Sequence, residues 1–573
     1  MKKYLQFGFS ILMVWSVPVL CLAQTDQPKL DIVFRALEDE LRRNMDSLVY
    51  EDGTKPIFIG YRISENTMIS SVATLGAIIN TSLSKPHNWY SRVLVGSYEL
   101  NDENFNGPDG HNRQGIPYTS LPEELDYEGI RRLFWLSTNE IFQAASMTYQ
   151  NKLFLLKRSG LDTTELLPDY SRTPVVNSIK SSSFPMNEQV ESLESLAREL
   201  SSVFLEFPEI VDSKVNINSL FTNHWLTNSE GTKIFFPTSI CLLSIYCKKN
   251  FGDDYDNIKS LQYMAKTVDE LPPRESLIKD LREFCNKVMQ DTTSIALEEN
   301  YEGPLLITGK PVANLFAEGF FKGKYTLKAS RKSLKANSDL SIDFNENEDD
   351  AKLVVGKEIY PSGITIVSTP FHDKYKNTPL LGSYEVDAEG VVPPEKLILV
   401  ENGKFVAQLS NRTPTKLSKT SNGHVQWGIF GSGTLGPGVT QLMIPSEKSF
   451  FELKQEALAL GKSLKLDYIL WIRPFQVDSE QIEVVKISTA DGVEQIVHSA
   501  GINRLNYEEL KSFVSATKNK IAYNLYEGAQ IRSYIVPEGV LLKNVTLNKR
   551  PMNHKKEEKP IVLNPLLDPS LNN

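Results

Sequence analysis

Apolar residues recur along this chain with two different periods, and the changes of period predict where helices and strands lie. Leu30, Val33, Phe34, Leu37 and Leu41 recur at helical spacing and predict a helix over residues 30–48. The same pattern predicts helices over residues 126–159, 187–204, 272–292, 311–320 and 450–460. Short apolar or alternating runs predict strands at residues 56–63, 68–79, 92–99, 214–226, 233–246, 303–307, 396–401, 404–409, 468–473, 481–489 and 494–499.

Local signals fix the ends of some of these elements. Asn402-Gly403 separates two short apolar runs, and Asn-Gly is the preferred pair for a type I′ hairpin turn because both positions need a positive φ. Asp126 and Gly160 are the predicted caps of one long helix, and Ser449 with Glu452 predicts a capping box. The loops around the hairpin are polar, which is the layout of a rigid sheet that presents functional loops.

Composition narrows the class of protein. The 573 residues are enough for two or three domains, and 41% hydrophobic and 10% aromatic residues are typical of a globular protein. A formal net charge of −9 argues against nucleic-acid binding as the main function.

Residues 1–23 have the pattern of an export signal. Lys2 and Lys3 precede an uncharged run over residues 4–23, and Cys21-Leu22-Ala23 places small residues three and one positions before a cleavage site after Ala23. An uncleaved membrane anchor is the alternative, because the run, although near the lower length limit, is long enough to span a membrane. The expected location is the periplasm or the medium.

Cysteine usage gives no disulfide framework. Cleavage after Ala23 leaves Cys241, Cys247 and Cys285, an odd number. Cys241 and Cys247 lie on one predicted strand at a separation of roughly 20 Å, too far for a disulfide. Buried free thiols are expected.

Four polar motifs follow one another around the hairpin: Asp387-x-Glu389-Gly390, Glu401-Asn402-Gly403, Asn411-Arg412-Thr413-Pro414 and Ser421-Asn422-Gly423-His424. In this order and spacing they resemble the C-terminal domain of the TldD/TldE (PmbA) family of zinc peptidases and their metal-free partner subunits. The resemblance extends over residues 30–567 and implies an α+β fold of strand-rich sheets covered by long helices. It also implies a dimer that encloses a cavity. Each chain is expected to contain an N-terminal α+β domain (residues 24–295), a strand-rich C-terminal domain (296–547) and a polar tail (548–573).

The catalytic motif of that family is missing. Catalytic chains of the TldD type carry His-Glu-x-x-x-His after Gly-x-Leu-Leu, where the histidines hold zinc and the glutamate activates water. Here Ile307, Thr308 and Val312 stand at those three positions, and no cysteine follows Cys285 to supply the family's third ligand. No zinc or other cofactor is therefore expected in this chain, and no catalytic residue is assigned. The backbone is expected to pass from strand to helix at Gly309 and Pro311, with Ile307 and Val312 as core residues.

What remains is a predicted surface that binds peptide through polar loop residues, namely the donors Asn411, Arg412, Thr413, Asn422 and His424 and the acceptors Asp387 and Glu389. Exposed strand edges would hold an extended peptide by main-chain hydrogen bonds. Two alternatives stay open. One is that Arg412 pairs with Asp387 or Glu389 as a structural bridge. The other is that His372-Asp373 and His424 meet in the fold as a metal site, although loop residues that hydrogen-bond the backbone are the favoured interpretation of these histidines.

The resemblance favours an exported, zinc-less subunit that pairs with a zinc-bearing TldD-like chain, or with a second copy of itself, to act on unfolded peptides. A stand-alone peptide-binding or scaffold protein is the second hypothesis. A hydrolase that uses residues near His424 is the third.

The export signal predicts that N-terminal sequencing of the protein recovered outside the cytoplasm begins at Gln24. A full-length product retained in the cytoplasm would contradict this prediction.

Overall fold

The computed structural model describes thirteen stretches of the chain: residues 27–106, 120–160, 166–181, 186–249, 258–290, 295–297, 299–321, 333–336, 342–345, 354–479, 481–498, 500–501 and 510–549. The predicted export signal and most of the predicted polar tail lie outside them. Within them, no helix combines the length and the apolar character that crossing a membrane requires.

The helices lie where the sequence predicts them, with ends that differ by a few residues. They are α1 (Gln27–Ser47), α2 (Tyr127–Ser159), α3 (Met186–Ser202), α4 (Arg274–Gln290), α5 (Lys310–Phe316) and α6 (Phe450–Ser463). Asp126 caps α2 and Gly160 ends it in a left-handed conformation, as predicted. The predicted capping box of Ser449 and Glu452 begins α6.

Strands make up the rest of the framework. In the N-terminal half they are β1 (Pro56–Thr74), β2 (Ala77–Ser84), β3 (His87–Val95), β4 (Phe105–Asn106), β5 (Asn177–Ile179), β6 (Asp212–Asn228), β7 (Lys233–Lys248) and β8 (Ile258–Ala265). In the C-terminal half they are β9 (Ile295–Ala296), β10 (Tyr301–Thr308), β11 (Ser333–Ala336), β12 (Ile342–Asn345), β13 (Thr365–Ser368), β14 (Lys374–Tyr375), β15 (Thr378–Pro379), β16 (Leu397–Glu401), β17 (Lys404–Phe405), β18 (Val425–Trp427), β19 (Gly433–Leu435), β20 (Val439–Met443), β21 (Tyr468–Pro474), β22 (Ile482–Ser488), β23 (Glu494–His498), β24 (Ala500–Gly501), β25 (Phe513–Ala516), β26 (Lys520–Glu527), β27 (Gln530–Pro537) and β28 (Gly539–Lys549).

The N-terminal half is a seven-stranded sheet in the order β2-β1-β6-β7-β5, with β3 also paired to β1 and β8 to β7. The two strands predicted at residues 56–63 and 68–79 are largely one continuous strand, β1. The polar stretch between them looks like a break in the sequence, but Ser64 contacts His224 and Asn66 accepts a hydrogen bond from Thr222 on the neighbouring β6.

Four helices cover one face of this sheet. Odd-numbered side chains of β1 point to that face, since successive strand residues alternate. Ile59, Tyr61 and Ile63 pack in one apolar cluster with α1 and α2, and Ile69 and Ala73 pack in another with α3 and α4. The even-numbered residues point to the opposite face, which meets the C-terminal half of the chain.

The C-terminal half contains two larger sheets that share a core. An eight-stranded sheet has the order β24-β28-β10-β21-β22-β23-β9 with β25 on β28, and a six-stranded sheet has the order β17-β16-β13-β20-β27-β26. Leu305 and Ile307 of β10 point into the core shared with the six-stranded sheet, while Leu306 points to α6 on the outer face. These findings confirm the predicted mixed, strand-rich α+β fold.

The ends of the halves differ slightly from the predicted domain limits. Ile295 and Ala296 form β9, which pairs with β23 in the C-terminal sheet, so the predicted boundary between residues 295 and 296 falls inside a strand. Strand β28 continues to Lys549, two residues beyond the predicted end of the folded region.

The positions that correspond to the zinc motif lie at the junction between β10 and α5. Gly309 has a φ of 72° there, which lets the strand turn directly into the helix. Ile307 and Val312 both have no exposed surface and belong to the same apolar cluster. The oxygen Oγ1 of Thr308 accepts a hydrogen bond of 2.8 Å from Nε1 of Trp471. The predicted strand-to-helix path and the predicted core positions are confirmed.

Candidate functional site

The first and third polar motifs lie where the C-terminal half meets the open face of the N-terminal sheet, and the hairpin motif lies within the C-terminal half. The predicted hairpin turn is confirmed, since Asn402 and Gly403 have φ values of 47° and 80° between β16 and β17. A Cβ atom on Gly403 would come within 2.4 Å of the Tyr360 carbonyl oxygen, so glycine is required there.

Asp387 organises the first motif from inside the protein. It has no exposed surface, and its Oδ1 accepts hydrogen bonds from the main-chain N–H groups of Glu389 and Val391 at 2.9 Å each. Its Oδ2 accepts from the Val425 N–H at 3.1 Å, which ties the loop to β18. Burial, with the nearby charge of Glu389, raises the pKa of Asp387 to about 7.

Glu389 joins the two halves of the chain. Its Oε1 accepts a hydrogen bond of 2.8 Å from Nη1 of Arg92 on β3, and its Oε2 accepts one of 2.8 Å from the main-chain N–H of Arg412. One carboxylate therefore links the N-terminal sheet to the third motif.

Arg412 lies at the centre of this contact with no exposed surface. Its Nε and Nη2 donate to the Ser171 carbonyl oxygen at 2.9 and 2.8 Å, and Nη2 also donates to Oε1 of Glu230 at 2.7 Å. The guanidinium carbon lies 4.1 Å from the centre of the Tyr170 ring.

The sequence left open a bridge from Arg412 to Asp387 or Glu389, and the structure corrects the partner. The guanidinium pairs with Glu230, in the turn between β6 and β7, while Glu389 binds only the main chain of Arg412. Tyr98 donates a second hydrogen bond of 2.8 Å to Glu230. Since Glu230 is 182 residues away in the chain, no local pattern points to it.

Two asparagines of the motifs support their own loops. Oδ1 of Asn411 accepts from the Thr413 N–H at 3.0 Å, which forms a tight Asx turn. Asn422 accepts from the Ser410 N–H and donates to the Gln408 carbonyl oxygen, both at 2.8 Å. Asn411, Thr413 and Asn422 are half-buried, as is Glu389.

His424 is buried with no exposed surface. Its Nε2 lies 3.0 Å from Oγ of Ser368, and its Nδ1 lies 2.7 Å from the Asn422 carbonyl oxygen, where an N–H must donate. Burial lowers the pKa of His424 to about 4, so the ring is neutral at pH 7. His372 instead contacts Nε2 of Gln441.

A serine hydroxyl on a histidine is the contact used by nucleophilic hydrolases. Here neither Ser368 nor His424 has any exposed surface, and Oγ of Ser368 also lies 2.8 Å from the Pro437 carbonyl oxygen. A substrate carbonyl has no access to this hydroxyl, so the geometry favours a structural role over the hydrolase hypothesis.

The seven predicted site residues are thus brought into one region, but three of them are inside it. Asp387, Arg412 and His424 have no exposed surface, so they hold the loops rather than face solvent. This corrects the expectation of an open surface formed by all seven. The sequence pattern identifies polar loop residues without showing which way they point.

Two clefts open between the halves on the even-numbered face of the N-terminal sheet. The first has a volume of about 640 Å³ and is lined by apolar residues, including Phe236, Ile240, Trp427 and Ile429, together with a similar number of polar and charged residues. The second has a volume of about 720 Å³ and contains Arg62, Tyr90, Arg92 and two predicted residues, Glu389 and Asn411. The residues that the N-terminal half contributes were not predicted, although the alternation of side chains along β1, β6 and β7 indicates which of them face the clefts.

His224 forms the floor of the first cleft. Its ring stacks 4.8 Å from Phe236 and is tilted against Trp427 at 4.9 Å, and its nitrogens contact Oγ of Ser64 and Oγ1 of Thr238. Burial lowers the pKa of His224 to about 3, so the buried ring is neutral at pH 7.

Metal-binding side chains do not converge in the described stretches, where no group of three His, Cys, Asp or Glu residues is close enough to hold an ion. Ile307 and Val312 have no donor atoms, and Thr308 is engaged by Trp471. The residues at the family's zinc positions therefore do not fit the metal.

Comparison with solved structures gives the fold its name. TldE from Thermococcus kodakarensis matches with a TM-score of 0.52 and 15% sequence identity, covering 90% of this chain and 100% of that chain. This chain has a TldE-like fold.

Two other solved structures are similar to the chain, and both are described as candidate modulators of DNA gyrase. The one from Thermotoga maritima has a TM-score of 0.48 and 14% identity, over 90% of this chain and 99% of that chain. The one from Bacteroides thetaiotaomicron has a TM-score of 0.49 and 9% identity, over 92% and 100%. No family model matches the sequence, and no curated protein matches it.

Within the TldE-like fold, Arg412 should stabilise the contact between the halves. We expect Arg412→Ala to lower the free energy of unfolding by about 3–5 kcal/mol, because it leaves the Glu230 carboxylate without its buried partner. Urea denaturation measures the change. Arg172→Ala is the matched control, because Arg172 is exposed and stacks on Tyr98 in the same region. Equal stabilities of the two variants would contradict a central role for Arg412.

The neutral ring of His424 predicts a dependence of stability on pH. Its folded pKa of about 4 is below the ordinary 6.5, so the unfolded chain takes up the proton first as pH falls. The contribution is complete above pH 6.5 and is lost towards pH 4, at up to about 1.4 kcal/mol per pH unit. We expect His424→Gln to reduce this slope in urea denaturation, whereas His372→Gln, at a half-buried position, keeps it. An unchanged slope in His424→Gln would contradict the prediction.

Proposed function

We propose that this chain is the metal-free, TldE-like subunit of an exported peptidase, and that a separate TldD-like chain supplies the zinc. The observation that carries the proposal is the packing at the β10–α5 junction. Ile307 and Val312 fill the core where a catalytic chain needs two zinc-binding imidazoles. The catalytic step therefore belongs to the partner, and unfolded peptides are the proposed substrates.

The side chains at the positions of the zinc motif support the proposal that the chain is stable without metal. Burying each aliphatic side chain contributes about 1.5–3 kcal/mol, whereas an imidazole in the same place without metal would be a buried polar group that lacks a partner. Cys241, Cys247 and Cys285 pack in the cluster beneath α3 and α4, while Ile307 and Val312 belong to a different cluster in the C-terminal half. Among the residues that the structure describes, no thiol is therefore at hand for a third ligand.

The proposed role of the chain is to shape the chamber and hold substrate. Support comes from the two clefts between the halves, which combine apolar walls with charged and amide groups. Export, proposed from residues 1–23, would place the complex where it meets unfolded peptides outside the cytoplasm.

Reconstitution with a chain from the same source that carries His-Glu-x-x-x-His tests the proposal. We expect the purified chain to bind no stoichiometric zinc and to leave unfolded casein intact, with or without added zinc. Mixed with its partner, it should form a stable complex that cleaves casein and loses activity to a chelator. Zinc bound to the chain alone, or cleavage by it alone, would contradict the proposal. Failure to associate with the zinc-bearing chain would favour a stand-alone peptide-binding protein.

The triple variant Ile307→His/Thr308→Glu/Val312→His provides a second test. We expect lower stability and no activity, because two polar rings replace core aliphatic residues and the third ligand is absent. Thermal unfolding and elemental analysis measure both effects. A stable triple variant that binds zinc and cleaves casein would show that the site lacks only its ligands.

A further inference from the structure

The outer edge of β7 is interrupted in the middle of the N-terminal sheet. Strand β5 pairs with β7 up to Phe235, and β8 pairs with it from Cys241 onward. Among the residues that the structure describes, residues 236–240 have no strand partner on this side, although β6 pairs with them on the other. We call these five residues the open edge.

The direction of the main-chain groups follows from the neighbouring bonds. Lys233 N donates to the Val176 carbonyl oxygen and Lys180 N donates to the Phe235 carbonyl oxygen, both at 2.8 Å. Odd-numbered residues of β7 therefore direct their polar groups outward, because the direction alternates along a strand. In the open edge these are the carbonyl of Pro237 and the N–H and carbonyl of Ser239.

The side chains of the same segment lead into the first cleft. Phe236, Thr238 and Ile240 point to the even-numbered face and line the cleft together with Trp427 and Ile429. Thr238 is exposed, so the cleft is accessible beside the open edge. Main-chain hydrogen-bonding groups and an apolar pocket thus adjoin, which is the arrangement that β-strand addition uses.

Charge at the rim indicates one further feature of the ligand. Lys180 lies at the β5 end of the open edge and pairs with Glu385 at 2.8 Å. Lys266 lies at the β8 end, is exposed, and has no ion-pair partner in the described part of the chain. A carboxylate on the ligand would complement Lys266.

We propose that the open edge and the first cleft form a binding site for an extended peptide with an aliphatic or aromatic side chain followed by a carboxylate. The peptide main chain bonds to Pro237 and Ser239, the apolar side chain enters the cleft, and the carboxylate pairs with Lys266. The choice of a peptide as ligand rests on the proposed function. Binding by the chain alone is independent of whether a zinc-bearing partner exists.

Fluorescence polarisation of labelled peptides with the isolated chain, without residues 1–23, tests the site. The probe is a Gly/Ser decapeptide with one central Phe and a free C-terminal carboxylate. We expect saturable binding, and a loss of about tenfold or more in affinity when Gly replaces the Phe or when alternate amides that face the open edge are N-methylated. Methylating the opposite set of amides should leave affinity unchanged. An amidated C-terminus should weaken binding. A penultimate Glu added to the amidated peptide should restore binding, because its carboxylate takes the place of the lost one beside Lys266.

Variants of the chain test the same contacts from the protein side. Ser239→Pro removes the N–H donor and should reduce affinity about tenfold, while Ser239→Ala keeps the donor and should bind normally. Lys266→Glu should weaken binding of the probe, whereas Lys214→Glu, an exposed lysine on β6, should not.

Several outcomes would overturn the inference. They are no saturable binding, equal affinity for both N-methylated peptides, normal binding by a folded Ser239→Pro variant, or self-association of the chain through this edge that excludes peptide. The methylated peptides keep the test decisive if Ser239→Pro does not fold. Absence of peptide binding alongside an active complex with the zinc-bearing chain would reject this site and leave the proposed function intact.

Discussion

A buried cation lies at the centre of the contact between the two halves. Arg412 leaves water entirely, and removing a guanidinium from water is costly unless its donors are satisfied and its charge is matched. The N-terminal half binds Nε and Nη2 and matches the charge, through the carbonyl of Ser171, the carboxylate of Glu230 and the ring of Tyr170. Both clefts lie on the sheet face that these contacts hold against the C-terminal half.

Asp387 and Glu389 extend this constraint into the loops. Asp387 satisfies three main-chain N–H groups that would otherwise be buried without partners. Glu389 is shared between Arg92 of the sheet and the main chain of Arg412. The loops are therefore shaped by the same contacts that join the halves, and a substitution in one motif is expected to alter the others.

Sequence patterns predicted the features whose causes lie within a few residues. Asn402-Gly403 determines its turn by its own backbone preferences, and Ser449 with Glu452 begins α6 through contacts three residues apart. The core positions of Ile307 and Val312 also followed, because a strand leading into Gly309 has few other places for them. The partner of Arg412 and the burial of Asp387 and His424 did not follow, because they depend on which segments meet across the fold. The open edge of β7 also has no sequence signature, since it results from where β5 ends and β8 begins.

The three thiols of the described chain allow local unfolding of the N-terminal half to be measured by chemical modification. Cys241 and Cys247 lie on β7 and Cys285 on α4, all buried, and burial raises the pKa of both Cys241 and Cys247 to about 12. At neutral pH such thiols are protonated, whereas the thiolate is the form that reacts with alkylating agents or oxidants. Modification must therefore wait until α3 and α4 separate from the sheet, and its rate reports the exposure of that half. Because no cysteine follows Cys285, unfolding of the C-terminal half exposes no thiol and does not contribute to the measured rate.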